Sequence, residues 1–206
     1  MALIAGTALA GAEPITVLAL GDSLTQGYGL PVEDGFVPQL QGWLQAAGQD
    51  VVVINAGVSG DTTAGGLARL DWSMTPDVDA MIVALGGNDL LRGIDPANSR
   101  ANLDAILAGA AARSLPVLMV GMTAPGNFGP DYKRDFDAIY PDLAAKYGAM
   151  LAHSFFDALE AQGDRKTTMA TLMQPDGLHP NAAGVAEIVK VLGPQVLALL
   201  DRAASD

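Results

Sequence analysis

Residues 15–24 read ITVLALGDSL. The first six, 15–20, form an apolar and β-branched run with no polar alternation. Such a run is a strand buried on both faces. Gly21 stops it, and Asp22-Ser23-Leu24 stands where the chain would leave the end of that strand. Three more runs share this character: 51–55 (VVVIN), 80–85 (AMIVAL) and 116–122 (PVLMVGM). A shorter fifth run is expected at 150–155. Between them lie helical patterns. Residues 36–47 place Phe36, Leu40, Trp43 and Ala47 on one face, and 98–113 do the same with Leu103, Ile106, Leu107 and Ala110. Short helices are expected at 65–72 and 135–146. A long one is expected at 182–200, with Pro194 predicting a kink or break. Buried strands alternating with helices give βαβ units. The expected fold is therefore α/β: three layers, α/β/α, around a mostly parallel five-stranded sheet with right-handed crossovers. Sheets of this kind bind ligands beyond the carboxyl ends of their strands.

Composition bounds the function. The chain has 206 residues, of which 50% are hydrophobic and 17% charged. This suits one ordered domain, assigned to residues 13–206. Zero Cys excludes disulfides, a thiolate nucleophile and iron–sulfur clusters, and two His make a His-rich metal site a poor expectation. No metal and no cofactor are expected. Eleven Lys and Arg against 23 Asp and Glu give a net charge of −12, which opposes nucleic-acid binding. No basic residue precedes Arg69, and none of the later ones form a polybasic patch.

Residues 1–12, MALIAGTALAGA, are small and apolar and end in Ala-Gly-Ala. Two readings stand: the tail of an export signal, or an unordered terminus. The first is favoured and implies a periplasmic or secreted protein; the second leaves a cytoplasmic one. The stretch is too short to span a bilayer, and no other segment is expected to. Nothing in the sequence sets an oligomeric state, and a monomer is compatible with it.

Four segments at strand ends carry the chemistry. They are Gly21-Asp22-Ser23-Leu24, Asn55 through Asp61, Gly86-Gly87-Asn88-Asp89, and Asp176-Gly177-Leu178-His179-Pro180. Taken singly, each reads as a turn or a helix cap. In this order they resemble the SGNH-hydrolase (GDSL) superfamily, whose fold is flavodoxin-like, and within it the bacterial thioesterase/lysophospholipase/arylesterase branch. Ser59–Thr62, Leu90-Leu91-Arg92-Gly93 and Ala124-Pro125-Gly126-Asn127-Phe128-Gly129 narrow the match to that branch. The resemblance covers about nine-tenths of the chain. It implies that Ser23 is the nucleophile, Asp176 and His179 complete a triad, and Ser23, Gly60 and Asn88 form an oxyanion hole.

The residue chemistry agrees. Serine needs an adjacent base, and only His153 and His179 exist. His153 sits in an apolar run and reads as structural. His179 follows Asp176 by three residues, so one turn brings a carboxylate to Nδ1 and leaves Nε2 for Ser23. Gly60 lets backbone approach the substrate, and an N–H from Ser23 with the Asn88 amide adds donors for a developing oxyanion. Asp22 and Asp89 are expected to hold loops by hydrogen bonds. There is no G-x-S-x-G elbow, P-loop or dinucleotide fingerprint.

The expected activity is hydrolysis of short- or medium-chain acyl esters through an acyl-Ser23 intermediate. The resemblance adds thioesterase and lysophospholipase activities. It also places the loops 90–94 and 125–131 beside the acyl pocket, with Leu90, Leu91, Ile94 and Phe128 as candidate substrate contacts. The small-molecule acyl ester is the expected partner. Alternatives are an enzyme acting first on acyl-CoA or lysophospholipid, a carbohydrate O-acetylesterase, an acyltransferase and a catalytically silent lipid-binding module.

Overall fold

A computed structural model describes residues 13–205. Residues 1–12, and the reading of them as an export-signal tail, lie outside the described residues. In chain order the elements begin β1 (Ile15–Gly21), α1 (Ser23–Gln26), α2 (Phe36–Ala46), β2 (Val51–Gly57), α3 (Thr63–Ala68), α4 (Leu70–Ser73) and β3 (Ala80–Ala84). They continue with α5 (Gly87–Leu91), α6 (Pro96–Ala111), β4 (Val117–Val120), α7 (Pro130–Asp137), α8 (Ile139–Tyr147) and β5 (Met150–Ala152). The chain closes with α9 (Asp157–Glu160), α10 (Arg165–Leu172) and α11 (Ala182–Ala203).

The five strands form one sheet in the order β2-β1-β3-β4-β5. Every neighbouring pair is parallel. The unbroken apolar runs are the reason, since β1 from Val17 onward and all of β3 and β4 are buried on both faces. Helix α2 packs on α11, which also meets β3, β4 and β5, while α3, α6 and α8 pack in succession as the second helical layer. Each large apolar side chain fully buried between these layers contributes about 1.5–3 kcal/mol. The sheet order reverses direction at β1, which has β2 on one side and β3 on the other. A crevice therefore opens beyond the ends of β1 and β3, at the topological switch point.

Several boundaries differ from the sequence reading. The helix expected at 65–72 is two short helices meeting at Arg69. The guanidinium of Arg69 is engaged with Asp61, Ala56 O and Gly21 O, which holds the junction against the sheet. The helix expected at 135–146 is likewise two, α7 and α8. Strands β4 and β5 are shorter than their apolar runs. Pro194 does not break α11, which continues through it to Ala203. The buried face of α11 is continuous on both sides of the proline, from Val185 and Leu192 to Val196 and Leu199, and that packing outweighs one missing hydrogen bond. By length and composition α11 is also long and apolar enough to cross a membrane, contrary to the expectation that no segment is. Half of its most apolar stretch is buried inside the fold, where it supplies one wall of the core.

Candidate active site

The end of β1 delivers Ser23 into the switch-point crevice. The Asp22 side chain caps α1 by accepting from Leu24 N–H at 3.0 Å, which fixes the turn on which Ser23 sits. Opposite it, Asn181 caps α11 by accepting from Gly184 N–H. The loop before that cap folds back on itself. Gln174 N–H donates to His179 O at 2.8 Å, and the Gln174 amide donates to Pro180 O and to Tyr28 O. This closed loop presents His179 to Ser23 across 156 residues of sequence, with Nε2 2.9 Å from Oγ. On the other edge of the ring, Nδ1 lies 2.6 Å from the Asp176 carboxylate. The second oxygen of Asp176 accepts from Leu178 N–H and His179 N–H at 2.9 and 3.0 Å. The bond to His179, reinforced by these two N–H groups, holds the Asp176 carboxyl down at about 2. Asp176 is therefore ionised throughout the neutral range. Its orienting charge is complete above about 4 and is lost only as pH falls through about 2.

Three donors face the same crevice. Among the described residues, neither Ser23 N–H nor Gly60 N–H has an internal acceptor. Gly60 adopts φ +83°, a left-handed conformation that favours glycine. Arg92 reaches over to donate to Gly60 O at 2.7 Å and pins this loop. Asn88 lies in α5, and its amide nitrogen is 3.4 Å from Asp22 Oδ2. The turn that aims Asn88 depends on Gly86, at φ +121°. A Cβ on Gly86 would lie 2.2 Å from the Tyr140 hydroxyl, which donates to Leu85 O at 2.9 Å. Behind Asn88, buried Asp89 accepts from Thr63 N–H, Thr63 Oγ1 and Ser99 Oγ at 2.6–2.8 Å, tying α3, α5 and α6 together. Asp22 thus holds a turn, as expected, whereas Asp89 joins three helices rather than a loop.

Asp22 is the strained member. Burial pushes its carboxyl from 3.8 up to about 6, against the opposing pull of Leu24 N–H, nearby His179 and the Asn88 amide. The folded chain then holds this proton more tightly than the unfolded one. Stability therefore falls as pH rises from about 4 to about 6, and the full penalty stands above that. A two-unit rise corresponds to on the order of 2–3 kcal/mol. Asp22→Asn is expected to lose less stability than wild type between pH 4 and pH 7, by an amount of that order. Parallel denaturant titrations of both proteins at the two pH values check this, and identical losses would contradict it.

A cavity of about 360 Å³ lies over these groups, lined by Ser23, Gly60, Asn88 and His179 with Tyr28, Leu90, Leu91, Met122, Phe156 and Leu178. Of the four candidate substrate contacts, Leu90 and Leu91 line it. Ile94 and Phe128 do not. The Phe128 ring is taken up by Tyr132, at 5.0 Å between centroids, and lies over Gly93. Ile94 N–H closes the end of α5 by donating to Asp89 O. His153 is 78% exposed and paired with Asp157 at 3.0 Å, so it lies at the surface rather than in the core and has no place in this cluster. No group of three or more side chains suited to a metal ion occurs among the described residues.

Sequence reasoning missed several residues here. Arg69, noticed only as the first basic residue, staples the ends of β1 and β2 to Asp61. The Tyr28 ring lies 4.7 Å from that of His179. Met122, Phe156 and Leu178 complete the apolar wall, and none belongs to a pattern distinguishable from ordinary core or loop residues.

A parallel α/β/α sandwich whose switch point holds a Ser–His–Asp relay beneath N–H groups with no internal acceptor among the described residues is the architecture of a serine-dependent hydrolase of the SGNH type. Comparison with known proteins gives the same class. Residues 19–186 match the GDSL-like Lipase/Acylhydrolase family, and the chain belongs to that family. It is 37% identical over 202 residues to esterase TesA of Pseudomonas aeruginosa, covering 97% of this chain and 96% of that one. It is 38% identical over 167 residues to an arylesterase of Vibrio mimicus, covering 80% and 79%. The crystal structure of AlinE4, an SGNH-hydrolase family esterase, superposes with a TM-score of 0.72 at 44% identity, over 92% of this chain and 98% of that one. The chain is a carboxylic ester hydrolase.

Proposed function

We propose that Ser23 attacks the acyl carbonyl, with His179 as general base and Asp176 fixing the His179 tautomer. The observation that supports this most directly is the continuous relay from Asp176 Oδ2 to His179 Nδ1 and from His179 Nε2 to Ser23 Oγ, at 2.6 and 2.9 Å. Ser23 N–H, Gly60 N–H and the Asn88 amide donate to the oxyanion. His179 then gives its proton to the leaving alcohol, phenol or thiol. Water deprotonated by His179 finally cleaves the acyl-Ser23 ester. Asn88→Ala is expected to lower kcat by about 10²–10³. Steady-state rates check this, and a rate within twofold of wild type would remove Asn88 from the hole.

Neutral acyl esters of short or medium chain are the proposed substrates, with acyl thioesters and lysophospholipids as lesser ones. The cavity wall is largely apolar, and a net charge of −12 gives no attraction for a polyanionic acyl-CoA. The names of the relatives, esterase and arylesterase, point the same way. A panel of nitrophenyl esters and acyl-CoAs with matched chains tests this by kcat/KM. The nitrophenyl esters should lead; a consistent advantage for acyl-CoA would make the enzyme primarily a thioesterase. An extracytoplasmic location is part of the proposal and rests on the export-signal reading of residues 1–12.

A further inference from the structure

A second cavity, of about 480 Å³, adjoins the first and shares Phe156 and Leu178 with it. Its walls run on through Leu159 to Met169 and Met173, on and just beyond α10, and the exposed charged residues Glu160 and Arg165 also border it. The mechanism above makes no use of it. Its position relative to the proton donor gives it a meaning. The oxygen that departs from the acyl carbon must lie within reach of His179 Nε2, because that atom returns the proton. The alcohol half of an ester therefore projects toward the loop carrying His179. Leu178, immediately before His179, is the shared wall, and Gly177 before it lines only the second cavity. Leu90, Leu91 and Met122 line the first cavity and not the second, which leaves them for the acyl half.

Resting on the acyl-Ser23 reading, we propose that this second cavity is the subsite for an apolar leaving alcohol. Its volume holds roughly fifteen heavy atoms, counting each at about the size of a water molecule. Two methionines give an adaptable lining that accepts aliphatic chains and aryl rings alike. The substrate class is thus an ester with a small acyl group and a larger apolar alcohol.

Two series of esters test this. One keeps a butyryl group and lengthens the alcohol from methyl to hexyl; the other keeps methanol and lengthens the acid. In wild type, kcat/KM should rise at least about tenfold along the alcohol series. Met169 is 36% exposed on α10, so Met169→Trp, which fills the cavity, and Met169→Asp, which places a carboxylate on its apolar wall, should both fold. Each should remove most of that rise and leave the acid-length dependence in place. Loss of the acid-length dependence instead would make the cavity an acyl groove, and no change in either series would exclude it as a subsite. Failure of the underlying reading would show separately, as methyl butyrate hydrolysis retained by Ser23→Ala.

Discussion

Ser23→Ala is expected to lower kcat on any ester by at least ~10⁴ while the protein melts cooperatively as before. The size follows from the geometry. In the proposed reaction Ser23 Oγ makes the attack, and the cavity offers no substitute: the chain has no Cys, and Ser59, the other serine in the lining, donates to Gln26 rather than to a base. The three proposed oxyanion donors survive the substitution, so residual turnover above the uncatalysed rate is expected. The small change in stability is also dictated by structure. Among the described residues the Ser23 side chain makes one hydrogen bond, to His179, and α1 is capped by Asp22 rather than by Ser23. Steady-state kinetics on freshly purified variant, with a matched thermal melt, measure both quantities. Loss of less than tenfold would remove Ser23 from the nucleophile's role.

Asp176→Asn is expected to lower kcat by about 10³–10⁴. An asparagine here can present its NH₂ to Nδ1. The ring would then carry its proton on Nε2, where it faces Ser23 Oγ and can no longer accept from it. The neighbouring N–H groups of Leu178 and His179, now bonded to Asp176 at 2.9 and 3.0 Å, would find an amide oxygen at the same place, so the loop keeps its shape. Substrate contacts are untouched and KM should move little. A variant with kcat within tenfold of wild type would show that the loop backbone alone orients His179.

Much of this was legible in the sequence, for identifiable reasons. Residues 15–20, 80–85 and 116–122 contain no polar alternation, and this alone implies strands buried on both faces of a parallel sheet. Glycines at strand ends then marked where functional loops begin. The relay residues were legible because serine chemistry at neutral pH needs a base and the chain holds two histidines. What stayed hidden depends on tertiary distance. Ile94 and Phe128 lie beside the right motifs, yet one closes a helix end and the other packs on Tyr132 and Gly93. Met122, Phe156 and Leu178 reach the cavity from three separate connecting segments, and no periodicity connects them. Pro194 was expected to interrupt α11 because local propensity disfavours it; packing along the rest of that helix prevailed. Arg69 joins Asp61, Ala56 and Gly21 through contacts that exist only after folding.

The proposed reaction passes through a covalent acyl intermediate on Ser23. A fluorophosphonate that mimics the tetrahedral stage tests it, followed by intact-mass measurement and peptide mapping. One adduct per chain is expected, located on Ser23, forming in step with loss of esterase activity and absent from Ser23→Ala. Full inactivation with the adduct on another residue, or an active enzyme that takes up no label, would contradict the account.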